Sequence, residues 1–362
     1  MHLQRLSLHQ FRSYEHAELE FSPGLTALVG RNGQGKTNVL EAIAYLATFR
    51  SFRVSTTDVM IRDGAPAAQI RAEGVRRGDR EVLLEAEISR AGRNRVQLNR
   101  QRVHSPREAL GVLRVTVFSP DDLAVVKEGP QLRRTLVDEV MVAGDPRLDA
   151  LLSSFERVLR QRNALLRQCG GRLDAGAALT LDVWDAKMAP AAEAVMQARF
   201  ETVTALRPEV AAAYQALAGM EAVVDVQYRP TVTLGEAAAA LASSRAEDVG
   251  RGVTTLGPHR DEVELLLGGR AVRTHGSQGE QRSFALALKL GGHRLVTEQV
   301  AQPPLLLLDD VFSELDPQRC DALIANLPVG QTVLTSADRL PCAAKADVVY
   351  EIDNGVIGQV AR

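Results

Sequence analysis

The sequence predicts an α/β fold in two parts. One is a mixed sheet with an antiparallel sheet attached; the other is a mostly helical second lobe with a short antiparallel helical hairpin. Three observations predict it. The octet Gly30-Arg31-Asn32-Gly33-Gln34-Gly35-Lys36-Thr37 lies between an apolar strand run, Leu25-Thr-Ala-Leu-Val29, and a helical pattern, Val39, Leu40, Ile43 and Leu46. Four leucines at 305–308 run into Asp309-Asp310, the pattern of a buried strand that delivers acids at its end. After Pro146 the apolar spacing lengthens from two residues to a heptad.

The elements follow in order. Leu6 and Leu8, then Ala17, Leu19 and Phe21, alternate with polar residues, which predicts two strands joined through Gln10-Phe-Arg-Ser-Tyr14. The phosphate-loop strand and its helix come next, then strand alternation through Val117, best formed at 82–88, turning at Gly92 and resuming at Val96 and Leu98. Leu148, Leu152, Phe155, Leu159 and Leu166 form a helical seam interrupted only by Arg162 and closed by Gly170-Gly171. A second helix begins near Leu181, with Met188, Ala191, Val195 and Ala198 on one face, and Pro208 is expected to open a third. The expected domains are residues 1–120, an inserted helical lobe at 121–250, and 251–362 completing the first lobe.

Composition narrows the class. The 362 residues are 45% hydrophobic and 24% charged, as in a globular protein. No apolar run is long enough to span a bilayer and no signal-peptide core is visible, so a cytoplasmic protein without a membrane partner is expected. Cys169, Cys320 and Cys342 form no C-x-x-C pair, which disfavours a disulfide framework or a zinc site. The net charge of −2 is uneven: residues 71–114 hold eleven arginines against six acids. Arginine forks grip phosphate, so this segment, with Arg93 and Arg95 as its representatives, is a candidate nucleic-acid contact.

The octet satisfies G-x-x-x-x-G-K-[ST] at every position. Its backbone N–H groups and helix N-terminus suit phosphates, Lys36 suits the β- and γ-phosphates, and Thr37 suits Mg²⁺. ATP and Mg²⁺ are the expected ligands. Asp309 is placed to hold the metal and Asp310 to polarise an attacking water. Ser277-Gln-Gly-Glu-Gln281, ahead of an apolar helix, resembles the signature motif of ABC-type ATPases through Ser277, Gly279 and Glu280. Ser313-Glu-Leu-Asp316 sits where that superfamily carries its D-loop. The fold would then be an ABC-type P-loop ATPase head. In such ATPases the signature contacts the γ-phosphate held by a second subunit, which implies an ATP-dependent head-to-tail homodimer.

Lys36 and Ser277 are 241 residues apart, far more than in transporter ATPases and far less than in SMC proteins with long arms. In Thr332-Val-Leu-Thr-Ser336, Ser336 takes the place of the transporter switch histidine. Those features oppose two alternatives, an ABC membrane-transporter subunit and an SMC-like structural clamp. The chain instead resembles the RecF family of SMC-related recombination mediators. The matching phrases are Phe11-Arg-Ser-Tyr14, the octet with Asn38 and Leu40-Glu-Ala42, and Phe118-Ser-Pro-x-Asp-Leu123. Further on come Arg133-Arg134, Gln161-Arg-Asn163, Gly257-Pro-His-Arg-Asp261, 277–282 and 306–316. The resemblance implies a slow, DNA-stimulated ATPase of recombinational repair and replication-fork maintenance. It implies binding to double-stranded DNA or single/double-strand junctions, and work with RecR, and indirectly RecO, to load RecA at single-stranded gaps. It also implies that Arg12 contacts nucleotide phosphate. Asp310 stands where transporter-type ATPases carry glutamate, one methylene longer, which accords with slow turnover.

Overall fold

The phosphate-loop strand Leu25–Val29 runs through the interior of a six-stranded sheet. Its order is Val356–Gln359, Val348–Asp353, Leu25–Val29, Thr332–Ser336, Leu305–Asp309 and Val115–Phe118. All neighbours are parallel except the hairpin pair at the first edge, so the sheet is mixed. A strand covered on both faces needs an unbroken apolar run, and Leu305 to Leu308 are at most 2% exposed. Each such leucine contributes about 1.5–3 kcal/mol by leaving water. In this computed structural model the described residues are 1–360 without 55, 77, 220–221, 338–339 and 341–343, so Cys342 lies outside them.

A second six-stranded sheet, wholly antiparallel, has the order Tyr14–Glu20, His2–Phe11, Ala67–Arg76, Arg80–Ser89, Arg95–Leu98, Gln101–Arg102. The alternation predicted at 82–88 is real: Val82, Leu84, Ala86 and Ile88 face the core and the residues between them face outward. Both sheets belong to one unit, made of Met1–Asp122, Ala216–Gly219 and Val296–Arg362.

The other unit comprises Leu123–Gln215 and Met220–Leu295. The division expected at residue 250 therefore lies at Leu295. Strand pairing explains the difference: Glu262–Leu267 is antiparallel to Val224–Arg229 and, with Arg270–Ala271, makes a three-stranded sheet that ties 251–295 to this unit. Helices Leu148–Gln168 and Ala175–Ala218 form the expected hairpin across the Gly170-Gly171 turn, where both glycines have positive φ. Pro208 opens no new helix. It lies inside the 44-residue second helix, as does Pro190. An interior proline costs about 3 kcal/mol, and here burial outweighs it: Leu206, Val210 and Ala213 beside Pro208 are fully buried.

The seam's polar interruption is its most deeply enclosed charge. Arg162 is fully buried, donating from Nε to Asp185 Oδ1 at 2.7 Å and from Nη1 to Asp248 Oδ2 at 2.7 Å and Thr254 Oγ1 at 2.8 Å. Asn163 Oδ1 accepts from the same threonine's N–H and hydroxyl. The segment 257–261 joins this network. Asp261 accepts from Thr231 N at 2.7 Å, Thr231 Oγ1 at 2.8 Å and the Tyr228 hydroxyl, while Arg199 donates to Pro258 O at 2.6 Å and Arg134 to Asp261 O at 2.5 Å. His259 donates from Nε2 to Thr254 O at 3.0 Å, and burial pushes its pKa down. Gly257-Pro-His-Arg-Asp261 is thus a structural knot that joins helices distant in sequence.

Candidate functional site

The loop 30–37 leaves the end of Leu25–Val29 and opens helix Lys36–Thr48. Two of its glycines are sterically required. At Gly30, φ is 150° and a Cβ would lie 2.2 Å from Ile352 O; at Gly35, φ is 116° and a Cβ would lie 2.8 Å from Ser13 Oγ. The loop's flank is strapped by two turns. Tyr14 Oη donates to Gly35 O at 3.0 Å, and the Asn354 and Gly355 amides donate to Gln34 Oε1 at 2.5 Å and Gln34 O at 3.3 Å. Arg31, Asn32 and Gly33 form an exposed crest. Lys36 Nζ folds back onto Gly30 O at 2.5 Å and Arg31 O at 2.8 Å. Burial lowers its pKa, while Asp310 and Asp309 pull the other way.

The two acids arrive from two strands away. Thr332–Ser336 lies between the loop strand and Leu305–Asp309, and its Thr335 is in register with Asp309 on one side and Leu28 on the other. Asp309 Oδ1 accepts from Thr37 Oγ1 and from Thr335 Oγ1, each at 2.8 Å. These are hard oxygen donors beside a phosphate cradle. Among the described residues no group of three or more His, Cys, Asp or Glu side chains could cage a metal. That set fits Mg²⁺, which favours one or two protein oxygens plus substrate phosphates and water. Thr37 and Asp309 would hold it, and it would neutralise charge on the transferring phosphoryl group.

Asp309 is 7% exposed, and burial raises its pKa against the opposing hydrogen bonds from Thr37 and Thr335. A raised carboxylate pKa means the ionised form is penalised in the fold. The penalty is present at neutral pH, fades as pH falls through the raised value, and is gone below the ordinary carboxylate range. Asp309→Asn is therefore expected to raise the Tm of the nucleotide-free protein at pH 7, with the gain shrinking by pH 4, while Mg²⁺-dependent ATP hydrolysis is lost. Thermal scans at both pH values, with and without Mg²⁺, check this.

The other predicted residues fall in three places. Arg12 pairs through Nε and Nη2 with fully buried Glu41 at 2.9 and 2.8 Å, and its Nη1 donates to Val59 O. Arg53 also approaches Glu41, at 3.6 Å, and donates to Asn38 Oδ1 at 3.0 Å. Ser277, Gly279 and Glu280 lie in the other unit, where Ser277 caps helix Gln278–Val300. The Ser277 N–H donates to Glu280 Oε2 at 2.7 Å and Ser277 Oγ accepts from the Glu280 N–H at 3.3 Å, a capping box that also depresses the Glu280 pKa. Ser277 is exposed and its hydroxyl hydrogen can still turn to an anion.

Among the described residues Arg93 and Arg95 are exposed, and some arginines of the segment face acids. Arg95 lies 3.4 Å from Glu87, and Arg71 lies 2.7 Å from Glu73 and 3.9 Å from Glu85. The concave outer face of the antiparallel sheet, about 670 Å³, is lined by three arginines and four glutamates. Sequence spacing overlooked Glu41, Thr335 and the turn at 354–355. Glu41 carries no sequence signal, because its full burial is a product of the fold.

The family model described as the RecF/RecN/SMC N terminal domain matches residues 2–353. The chain is 44% identical to the DNA replication and repair protein RecF of Frankia alni, over 97% of this chain and 96% of that protein. It is 40% identical to the protein of the same description from Streptomyces avermitilis, over 99% and 100%. It resembles the solved structure of the recombination mediator protein RecF-ATP in the RecFOR pathway, with a TM-score of 0.91, 27% identity, and 99% and 98% of the two chains covered. A head of the Smc type, bound to the C-winged helix domain of ScpA, shares the fold at a TM-score of 0.59 and 18% identity.

Proposed function

Since the chain belongs to the RecF family, within the RecF/RecN/SMC group of ABC-type ATPase heads, we propose that it is an ATP-dependent DNA-binding protein of recombinational repair and replication-fork maintenance. The observation that carries this reading is the joining of Lys36, Thr37 and Asp309 in one site, with Thr37 and Asp309 at 2.8 Å. Lys36 and the loop amides bind and orient the β- and γ-phosphates. Thr37 and Asp309 hold Mg²⁺, and Asp310 orients the attacking water. Ser277 and Gly279 of a second copy complete the site, so ATP bridges two chains head to tail and hydrolysis releases them. The dimer closes on duplex DNA or a single/double-strand junction and, with RecR and indirectly RecO, helps place RecA on single-stranded gaps.

Filter binding to DNA, with and without ATP over a range of salt, tests the reading. ATP should raise both DNA affinity and oligomeric mass, and the affinity should fall steeply with salt through counterion release. ATP that changes neither quantity overturns the proposal. Charge reversal at Arg93 and Arg95 locates the path: each lost phosphate contact should flatten the log–log salt slope by about 0.9. An unchanged slope places DNA elsewhere.

A further inference from the structure

One hydroxyl joins both acids of the site. Thr335 Oγ1 donates to Asp309 Oδ1 at 2.8 Å and accepts from the Asp310 N–H at 2.9 Å. Asp310 has φ 47° and ψ 30°, a left-handed conformation that a residue with a Cβ adopts only when its surroundings hold it there. Its carbonyl is held as well, by Ser313 Oγ at 2.7 Å and Ser313 N at 3.3 Å. The peptide on the N-terminal side of Asp310 is thus pinned to the neighbouring strand, and its carbonyl to the following turn. Thr335 is 1% exposed, so no water can replace its hydroxyl.

We propose that Thr335 is a positioning residue that sets the direction of both acids, fixing Asp309 toward the metal site and Asp310 in its left-handed backbone. The inference rests on the ATPase reading above and extends it to a strand that carries no motif acid. A valine at 335 keeps the shape but removes both hydrogen bonds, leaving the half-buried Asp310 N–H without its partner. Serine keeps the hydroxyl.

Thr335→Val and Thr335→Ser, compared with the parent protein, test it by two readouts. The first is kcat and KM for Mg·ATP. Outer-shell groups of this kind are typically worth about 10–100-fold, so Thr335→Val should lower kcat by that factor with KM little changed, and Thr335→Ser should restore most of it. The second is binding of a fluorescent ATP analogue with and without Mg²⁺. Thr335→Val should leave Mg²⁺-free affinity intact, which also reports a folded site, and reduce the gain that Mg²⁺ gives. Equal behaviour of the valine and serine variants, or a valine variant matching the parent in both readouts, overturns the positioning role while the ATPase reading stands. A parent protein without Lys36-dependent nucleotide binding overturns both. Should Thr335→Val misfold, Thr335→Ala takes its place, since it too removes both hydrogen bonds, and an alanine variant equal to the serine variant in both readouts overturns the role.

Discussion

Asp248→Ala is expected to destabilise the protein by about 3–5 kcal/mol, the cost of stranding a buried charge. Arg162 and Asp248 are both fully buried and 2.7 Å apart, out of reach of bulk solvent. The damage extends beyond the pair. Asp248 Oδ1 also accepts from the Thr255 N–H at 2.9 Å and from the Thr255 hydroxyl at 2.6 Å, which anchors the chain entering 257–261. Asp248→Asn can keep an acceptor for Thr255 while losing the charge, so its cost should be intermediate. Urea unfolding reads both, through midpoints at matched slopes. An alanine variant within 1 kcal/mol of the parent would show that Arg162 is satisfied by Asp185 alone.

That network also shows where sequence reading stops. The phosphate loop, the acid-ended strand and the two-lobed α/β plan are legible because each rests on local spacing: four fixed positions, an unbroken leucine run, a change of period. Arg162 is not legible, because a lone arginine in a leucine seam has the same local pattern whether it meets solvent or two aspartates 23 and 86 residues away. Glu41 is hidden for the same reason, since its partner Arg12 comes from the turn between His2–Phe11 and Tyr14–Glu20. Gly257-Pro-His-Arg-Asp261 could be singled out as a phrase, yet its work is done through Tyr228, Thr231, Arg134 and Arg199, which only the fold brings to it. The arginine excess at 71–114 meets the same limit from the other side. In a strand ladder the neighbours across the sheet are Glu85 and Glu87, and a count along the chain cannot see pairing across it.

Lys36→Arg and Ser277→Arg should each reduce ATP hydrolysis by about 100-fold or more, the scale of removing one preorganised charge-stabilising donor. Lys36 sits in a tight cradle of two carbonyls, at 2.5 and 2.8 Å, which a planar guanidinium cannot reproduce. Ser277 lies on the exposed N-terminus of a 23-residue helix, where an arginine side chain would fill the space an incoming phosphate needs. The two losses have different causes, and this makes them separable. Lys36→Arg should weaken nucleotide binding by the single chain, whereas Ser277→Arg should leave that binding intact and abolish ATP-dependent dimerisation.

The most direct measurement mixes those two variants. A heterodimer of one Lys36→Arg chain and one Ser277→Arg chain has one site ruined twice and one site built from an intact Lys36 and an intact Ser277 on opposite chains. With random pairing, equal mixing should restore about a quarter of the parent ATPase activity, because half the dimers are mixed and each carries one of two sites. Recovery toward that level is the predicted result. Heterodimers demonstrably present, with activity no higher than either variant alone, would contradict a site completed between two copies of the chain.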